Sequence, residues 1–257
     1  KKNINYLLIG DSYAQGACVN RPNDIASVIR NISKKGVISL GFDNNGPLTE
    51  LATLREYNIP NVKNVIWLYY EGNDFDDLYR ELENKILNKY LVDLSFKQNL
   101  KFKQKKIDSL LKDKVNEQEK NYKKKIIINY FKLTNLRKLL YSYAPKNVNF
   151  KEKKFKYKIP KEFESILRLV KDICEKNNSQ FYFVYIPISE NYKSKDLYER
   201  TISITNKLNI KTIDIYKEVH KKEANVMKLF PLEISGHYNE YGYKKIAEAI
   251  LNYIQDD

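Results

Sequence analysis

With 257 residues, 42% of them hydrophobic, the chain is long enough for one domain of ordinary size with a sizeable core. No stretch approaches the roughly 18 uninterrupted apolar residues of a membrane span and no secretory hydrophobic region is present, so the chain as given is expected to be a soluble domain. The net charge of +14 would suit nucleic acid or an anionic surface, but lysine is scattered widely in a composition rich in Lys, Asn, Ile and Tyr. Compositional bias accounts for it, and without a binding signature nucleic acid is not an expected partner.

The first predicted strand, Tyr6–Gly10, is apolar at every position except its glycine, as suits a strand covered on both faces in a parallel sheet. It stops at Gly10-Asp11-Ser12. Asp24 then caps a helix carrying Ile25, Val28, Ile29 and Ile32, and strand two spans Val37–Phe42. Pro47 opens a helix with Leu48, Leu51 and Leu54, strand three spans Asn64–Tyr70, and Asp74 or Asp76 starts a helix through Leu78, Leu82 and Ile86. Pro160 precedes a helix with Phe163, Ile166, Leu167 and Val170. Strands Gln180–Ile186 and Ile210–Ile215 follow, and a last helix carries Tyr243, Ile246, Ala247, Ile250, Leu251 and Ile254. The alternation predicts an α/β chain: a three-layer α/β/α domain over residues 1–257 with a central parallel five-stranded sheet and right-handed crossovers.

One crossover is far too long. From about 91 to 160 the chain is Lys-rich and helical in pattern, which predicts a helical insertion between strands three and four, as a subdomain or a lid. Its apolar stripe, Ile126, Ile127, Tyr130, Phe131, Leu133, Leu136, Leu139 and Leu140, is flanked by Lys124, Lys125, Lys132, Arg137 and Lys138. Such a segment suits a membrane surface or an acidic polymer, or packing on its own domain with a solvated charged face.

Four segments carry chemistry. Gly10-Asp11-Ser12 places a hydroxyl on the turn after strand one; "SLGFDNNGP" (39–47) offers backbone N–H groups through Asn44 and Gly46; "YYEGND" (69–74) offers the Asn73 amide; "GHYNEYGY" (236–243) places His237 before the last helix. In a parallel sheet every carboxyl end lies at one edge, so these segments converge. A serine hydroxyl needs an imidazole to take its proton, and the oxyanion that develops needs fixed donors.

In these residues the sequence resembles the SGNH (GDSL-type) hydrolases, a superfamily of serine esterases and acyltransferases with a flavodoxin-like α/β/α fold. The likeness covers nearly the whole chain outside the insertion. It implies Ser12 as nucleophile, His237 as general base, Asn73 as oxyanion donor, and a further backbone donor at Asn44 or Gly46. It also implies an O-acyl ester substrate, with O-acetyl on a carbohydrate the expected class; the chain's own richness in tyrosine is compatible with sugar stacking. One departure stands out: the family's aspartate three residues before the histidine is Ile234 here. Glu233 is the nearest carboxylate, and without it a Ser-His dyad must work.

Duller readings exist for each residue. Ser12 can cap a helix, Asp11 brace the turn, Asn73 form an Asx-turn, and His237 with Asn239 mark a helix start. His220, among lysines, is expected to be solvated. Two separated histidines and two separated cysteines, Cys18 and Cys174, give neither a zinc ligand set nor a disulfide framework, and no cofactor is expected. The expected partner is a small-molecule or glycan ester. The alternative is a catalytically weak SGNH-like domain binding a glycan, a membrane surface or a protein through the basic insertion. A start at Lys1, close to the first strand, suggests a piece of a longer protein, such as the extracytoplasmic part of a membrane-anchored bacterial one.

Overall fold

The computed structural model describes residues 3–131, 158–188 and 195–256. β1 (Ile4–Gly10) leads into α1 (Ser12–Gln15), α2 (Ile25–Ser33), β2 (Gly36–Ser39), α3 (Pro47–Tyr57), β3 (Asn64–Tyr70), α4 (Asp74–Glu81) and α5 (Lys85–Val92). α6 (Gln104–Phe131), α7 (Glu162–Lys176), β4 (Gln180–Ile186), α8 (Lys195–Lys207), β5 (Lys211–Asp214), α9 (Ile215–Glu218) and α10 (Glu240–Asp256) follow. All strand pairs are parallel, in the order β2-β1-β3-β4-β5, and helices cover both faces of the sheet.

The two faces follow from the period of two along each strand. Tyr6, Leu8, Ile66, Leu68, Tyr182 and Val184 pack with α1, α2 and α10, whereas Leu7, Ile9, Val65, Trp67, Tyr69 and Phe183 pack with α3, α4 and α7. Continuous apolar runs therefore feed two cores at once. Burying each such leucine or isoleucine contributes roughly 1.5–3 kcal/mol.

Helix starts follow the sequence signals. Asp24 Oδ1 accepts from Ser27 N at 3.1 Å, and Pro47 opens α3. The helix expected to run from Asp74 through Ile86 is two: α4 ends at Glu81, and Asn84 Oδ1 accepts from Ile86 N and Leu87 N to start α5. Both outer strands are shorter than expected. β2 stops at Ser39, and β5 at Asp214, whose carboxylate turns to accept from Tyr216 N at 3.1 Å and begins α9.

The chain divides into two compact units, Lys1–Gln98 with Tyr157–Asp257, and Asn99–Lys156. The described part of the second is a 3₁₀ turn, Leu100–Lys103, and α6, on which Leu110, Leu111, Val115 and Tyr122 are exposed. The stripe and basic flanks expected over 124–140 fall on side chains outside the described residues. No helix among the described residues is long and apolar enough to cross a membrane.

Candidate active site

β1 and β3 are neighbours where the strand order reverses, and ligands of open α/β sheets bind at the carboxyl ends of such strands. Gly10 ends β1 at φ +148°, where an added Cβ would lie 2.8 Å from Leu68 O, so only glycine fits. Asp11 then caps α1 by accepting from Tyr13 N at 2.9 Å. Ser12 is thereby fixed as the first residue of that single-turn helix.

His237 arrives from the other end of the chain. Asn239 holds its loop: the amide donates to Lys228 O (2.8 Å) and Phe230 O (3.1 Å), while Oδ1 accepts from Gly242 N (2.9 Å) at the start of α10. The result is a Ser12 Oγ to His237 Nε2 distance of 2.7 Å across a sequence separation of 225. Nothing among the described residues hydrogen-bonds to His237 Nδ1. Glu233 does not reach it: that side chain is exposed, and Oε2 accepts from Asn225 Nδ2 at 3.5 Å.

Asn73 lies just before α4, with its amide toward Asp77 Oδ2 (2.7 Å) and Asp11 Oδ2 (3.5 Å). Asp11 Oδ2 also lies 3.3 Å from Ser12 Oγ, a second and longer acceptor for the single hydroxyl hydrogen that His237 Nε2 approaches at 2.7 Å, so one carboxylate stands beside both serine and asparagine. The second backbone donor divides between its two candidates. Gly46 N–H is already given to Glu81 Oε1 at 2.7 Å, inside the protein, and is not presented to the site. Asn44, in a left-handed conformation at φ 63°, has an N–H with no hydrogen-bond partner among the described residues. Its side chain donates to Asp43 Oδ2.

Carboxylates crowd beneath this edge. Burial pushes Asp11 up, against the lowering pull of hydrogen bonds from Tyr13 N, Asn73 and Ser12. Glu50 and Asp74, both fully buried, are pushed well up, Glu50 by desolvation and then the charges of Asp74, Asp11 and Glu81, Asp74 by desolvation and then Asp11, against a hydrogen bond from Tyr70 N. No group of three His, Cys, Asp or Glu among the described residues is arranged to hold a metal ion.

Two sequence expectations change. His220 is buried rather than solvated: its Nε2 lies 2.8 Å from Tyr238 OH, and desolvation pushes the imidazole down to about 4 although Asp214 pulls the other way. The lysines around it point outward while the 3₁₀ turn His220–Lys222 turns the histidine inward. Tyrosine is also less a surface residue than expected, since Tyr6, Tyr69, Tyr90, Tyr182, Tyr185 and Tyr243 are buried. Sequence reasoning missed Asp77, whose signal is its four-residue spacing from Asn73 at the start of a helix, and Tyr13, which reads only as an apolar position.

No protein-family model and no curated protein sequence matches the chain. Solved structures do. A lipase/acylhydrolase from Enterococcus faecalis aligns with a TM-score of 0.52 at 13% identity, covering 99% of this chain and 96% of that one. A protein provisionally described as lipolytic, of the G-D-S-L family, from Desulfitobacterium hafniense DCB-2 aligns at 0.53 and 13% identity, covering 98% and 99%. LAE5, an alpha/beta hydrolase enzyme from the metagenome of Lake Arreo, aligns at 0.52 and 11%, covering 99% and 96%. At such identities the likeness is one of architecture: the chain shares the fold of these lipolytic G-D-S-L, acylhydrolase and alpha/beta hydrolase structures.

Proposed function

We propose that this chain is a serine ester hydrolase or acyltransferase acting on O-acyl esters, with an O-acetylated carbohydrate as the substrate class. The 2.7 Å approach of Ser12 Oγ to His237 Nε2 carries the reading. As Oγ attacks the ester carbonyl, its proton passes to Nε2, and the imidazolium returns that proton to the departing alkoxide. An acyl group is left on Ser12. Water, or a sugar hydroxyl in the transferase case, then attacks the acyl-enzyme with His237 again as base.

Ser12 N–H, Asn44 N–H and the Asn73 amide receive the oxyanion. The Asn73 hydrogen directed at Asp11 is the one free to do so, because its 3.5 Å partner lies at the limit of a hydrogen bond whereas the 2.7 Å bond to Asp77 anchors the other. Glu233 and Gly46 have no part. The carbohydrate half of the reading is supported by the sequence resemblance, and the acyl-enzyme by the Ser12–His237 pair.

The test is release of nitrophenol from nitrophenyl acetate. Wild type is expected to exceed Ser12→Ala by at least a thousandfold, and equal rates would overturn the hydrolase reading. Adding acceptor sugars separates the two chemistries: appearance of acetylated sugar identifies a transferase, and acetate alone a hydrolase.

A further inference from the structure

An imidazole acts as a base only if its ring is held with the correct nitrogen toward the proton it takes. In this chain nothing among the described residues bonds to His237 Nδ1, and the nearest carboxylate in sequence points away to Asn225. Something else must fix the ring. Tyr13 touches His237 and its loop in two independent ways. Its hydroxyl donates to Gly236 O at 2.9 Å, on the residue preceding the histidine, and its ring lies against the imidazole with centroids 4.9 Å apart, tilted by 39°.

Tyr13 is itself immobilised. It is 2% exposed, follows Ser12 directly in α1, and gives its backbone N–H to Asp11. Behind it stands Tyr70, at 4.5 Å between centroids. Tyr70 in turn presses on Gly72, where an added Cβ would lie 2.3 Å from the ring, and Tyr238 meets Tyr13 edge-on at 5.5 Å. Burial holds the Tyr13 phenol well above its ordinary titration range, so it remains a donor across the working pH range. Gly236 sits at φ +158°, a backbone conformation that glycine adopts freely and other residues rarely do, so the residue before His237 carries no conformational restraint of its own.

We infer that Tyr13 is the positioning residue of the His237 base, clasping the Gly236–His237 segment to the same single-turn helix that carries the nucleophile. The inference rests on the Ser12–His237 reading for its kinetic consequence but not for its structural one. Because attack geometry is fixed by α1 and ring geometry by a side chain of α1, the Ser-to-His distance is held by one rigid element. Loosening that clasp impairs proton transfer while leaving substrate binding largely intact.

The experiment compares Tyr13→Phe, which keeps the ring and loses the hydroxyl, with Tyr13→Leu, which loses both. On nitrophenyl acetate, Tyr13→Phe is expected to lower kcat about tenfold and Tyr13→Leu about a hundredfold, with KM changed less than threefold in each. With only two histidines in the chain, imidazole NMR resolves His237 directly. Its NOE contacts to the Ser12 side chain are expected to persist in Tyr13→Phe and to be lost in Tyr13→Leu, a readout that the missing ring current alone does not move. Wild-type kcat in a folded Tyr13→Leu protein, or imidazole-to-Ser12 NOE contacts unchanged by that substitution, would overturn the inference. Equal hydrolysis by wild type and Ser12→Ala would instead remove the esterase reading, and the NMR comparison would still decide whether Tyr13 orients the ring.

Discussion

Glu81 reaches back 35 residues to hold the amino terminus of α3, accepting from Gly46 N at 2.7 Å with one carboxylate oxygen and from Leu48 N at 2.9 Å with the other. Two orphan N–H groups of a helix start are satisfied by a charge placed where the helix dipole favours it. Removing that charge in Glu81→Ala is expected to cost about 2–3 kcal/mol of stability, read from the urea midpoint. It also frees the Gly46 amide. If that amide were an oxyanion donor held in reserve, esterase kcat would rise in the variant, whereas the arrangement here predicts no gain.

Asn73 and Asp77 form a second such pair, one helical turn apart. Asn73→Ala is expected to lower kcat on the order of 100- to 1000-fold, the usual cost of one oxyanion donor, with little change in KM. Asp77→Ala should fall short of that, about tenfold, since the amide remains but loses its 2.7 Å anchor. Losses of equal size in the two variants would mean that the asparagine acts only through the helix start it shares with Asp77.

The sheet was legible because continuous apolar runs such as Leu7-Leu8-Ile9 have no alternative to burial on both faces, and such strands need helices above and below. That Ser12, Asn73 and His237 lie at one edge was legible because parallel strands send their carboxyl ends to one edge, whatever the distance along the chain. That the Gly46 N–H is already given away inside the protein was not, because its acceptor is a side chain 35 residues further along and no local pattern records it. His220 failed for a related reason: its neighbours in sequence are charged, but a 3₁₀ turn points successive residues in different directions, and only tertiary packing decides which goes inward. The break between α4 and α5 was hidden because Leu78 and Leu82 continue the apolar period up to the turn that Asn84 interrupts.

Glu233 lies one residue before the position where the resemblance leads one to seek an orienting carboxylate, yet it faces Asn225. Glu233→Gln is therefore expected to keep kcat within twofold of wild type, while His237→Ala loses at least a thousandfold. Both are measured with the same nitrophenyl ester. A large loss in Glu233→Gln would mean that the loop rearranges when substrate binds and brings the carboxylate to the ring.

Among the described residues neither carboxylate oxygen of buried Glu50 has a hydrogen-bond partner, and burial first, then neighbouring Asp74, Asp11 and Glu81, push its carboxyl well up. Its folded-state affinity for a proton is well above that of the unfolded chain. The folded protein thus holds more protons, and this contribution to stability is full below about pH 4.5 and is lost as pH rises through the raised folded value. Glu50→Gln, neutral and nearly the same shape, is expected to match wild type at pH 4 and to exceed it at pH 8. Thermal melts at the two pH values decide the matter: a variant less stable than wild type at pH 8 would show that the ionised carboxylate is tolerated.

His220 titrates in the opposite sense. Its imidazole is held down to about 4 by burial against an ordinary value of 6.5, so the unfolded chain takes up the proton first as pH falls. Stability from the neutral, buried ring is present above pH 6.5 and drains away between there and about pH 4, by roughly 3 kcal/mol at 1.36 kcal/mol per unit. His220→Gln cannot titrate, yet keeps an amide able to meet the Tyr238 hydroxyl that now lies 2.8 Å from the ring. Urea midpoints taken across this window should therefore converge, with wild type more stable at pH 7 and losing its lead on the way to pH 4. Parallel curves for the two proteins would mean that His220 accepts its proton inside the fold, and that the packing of Phe230 and Tyr238 around it opens to water more readily than their burial implies.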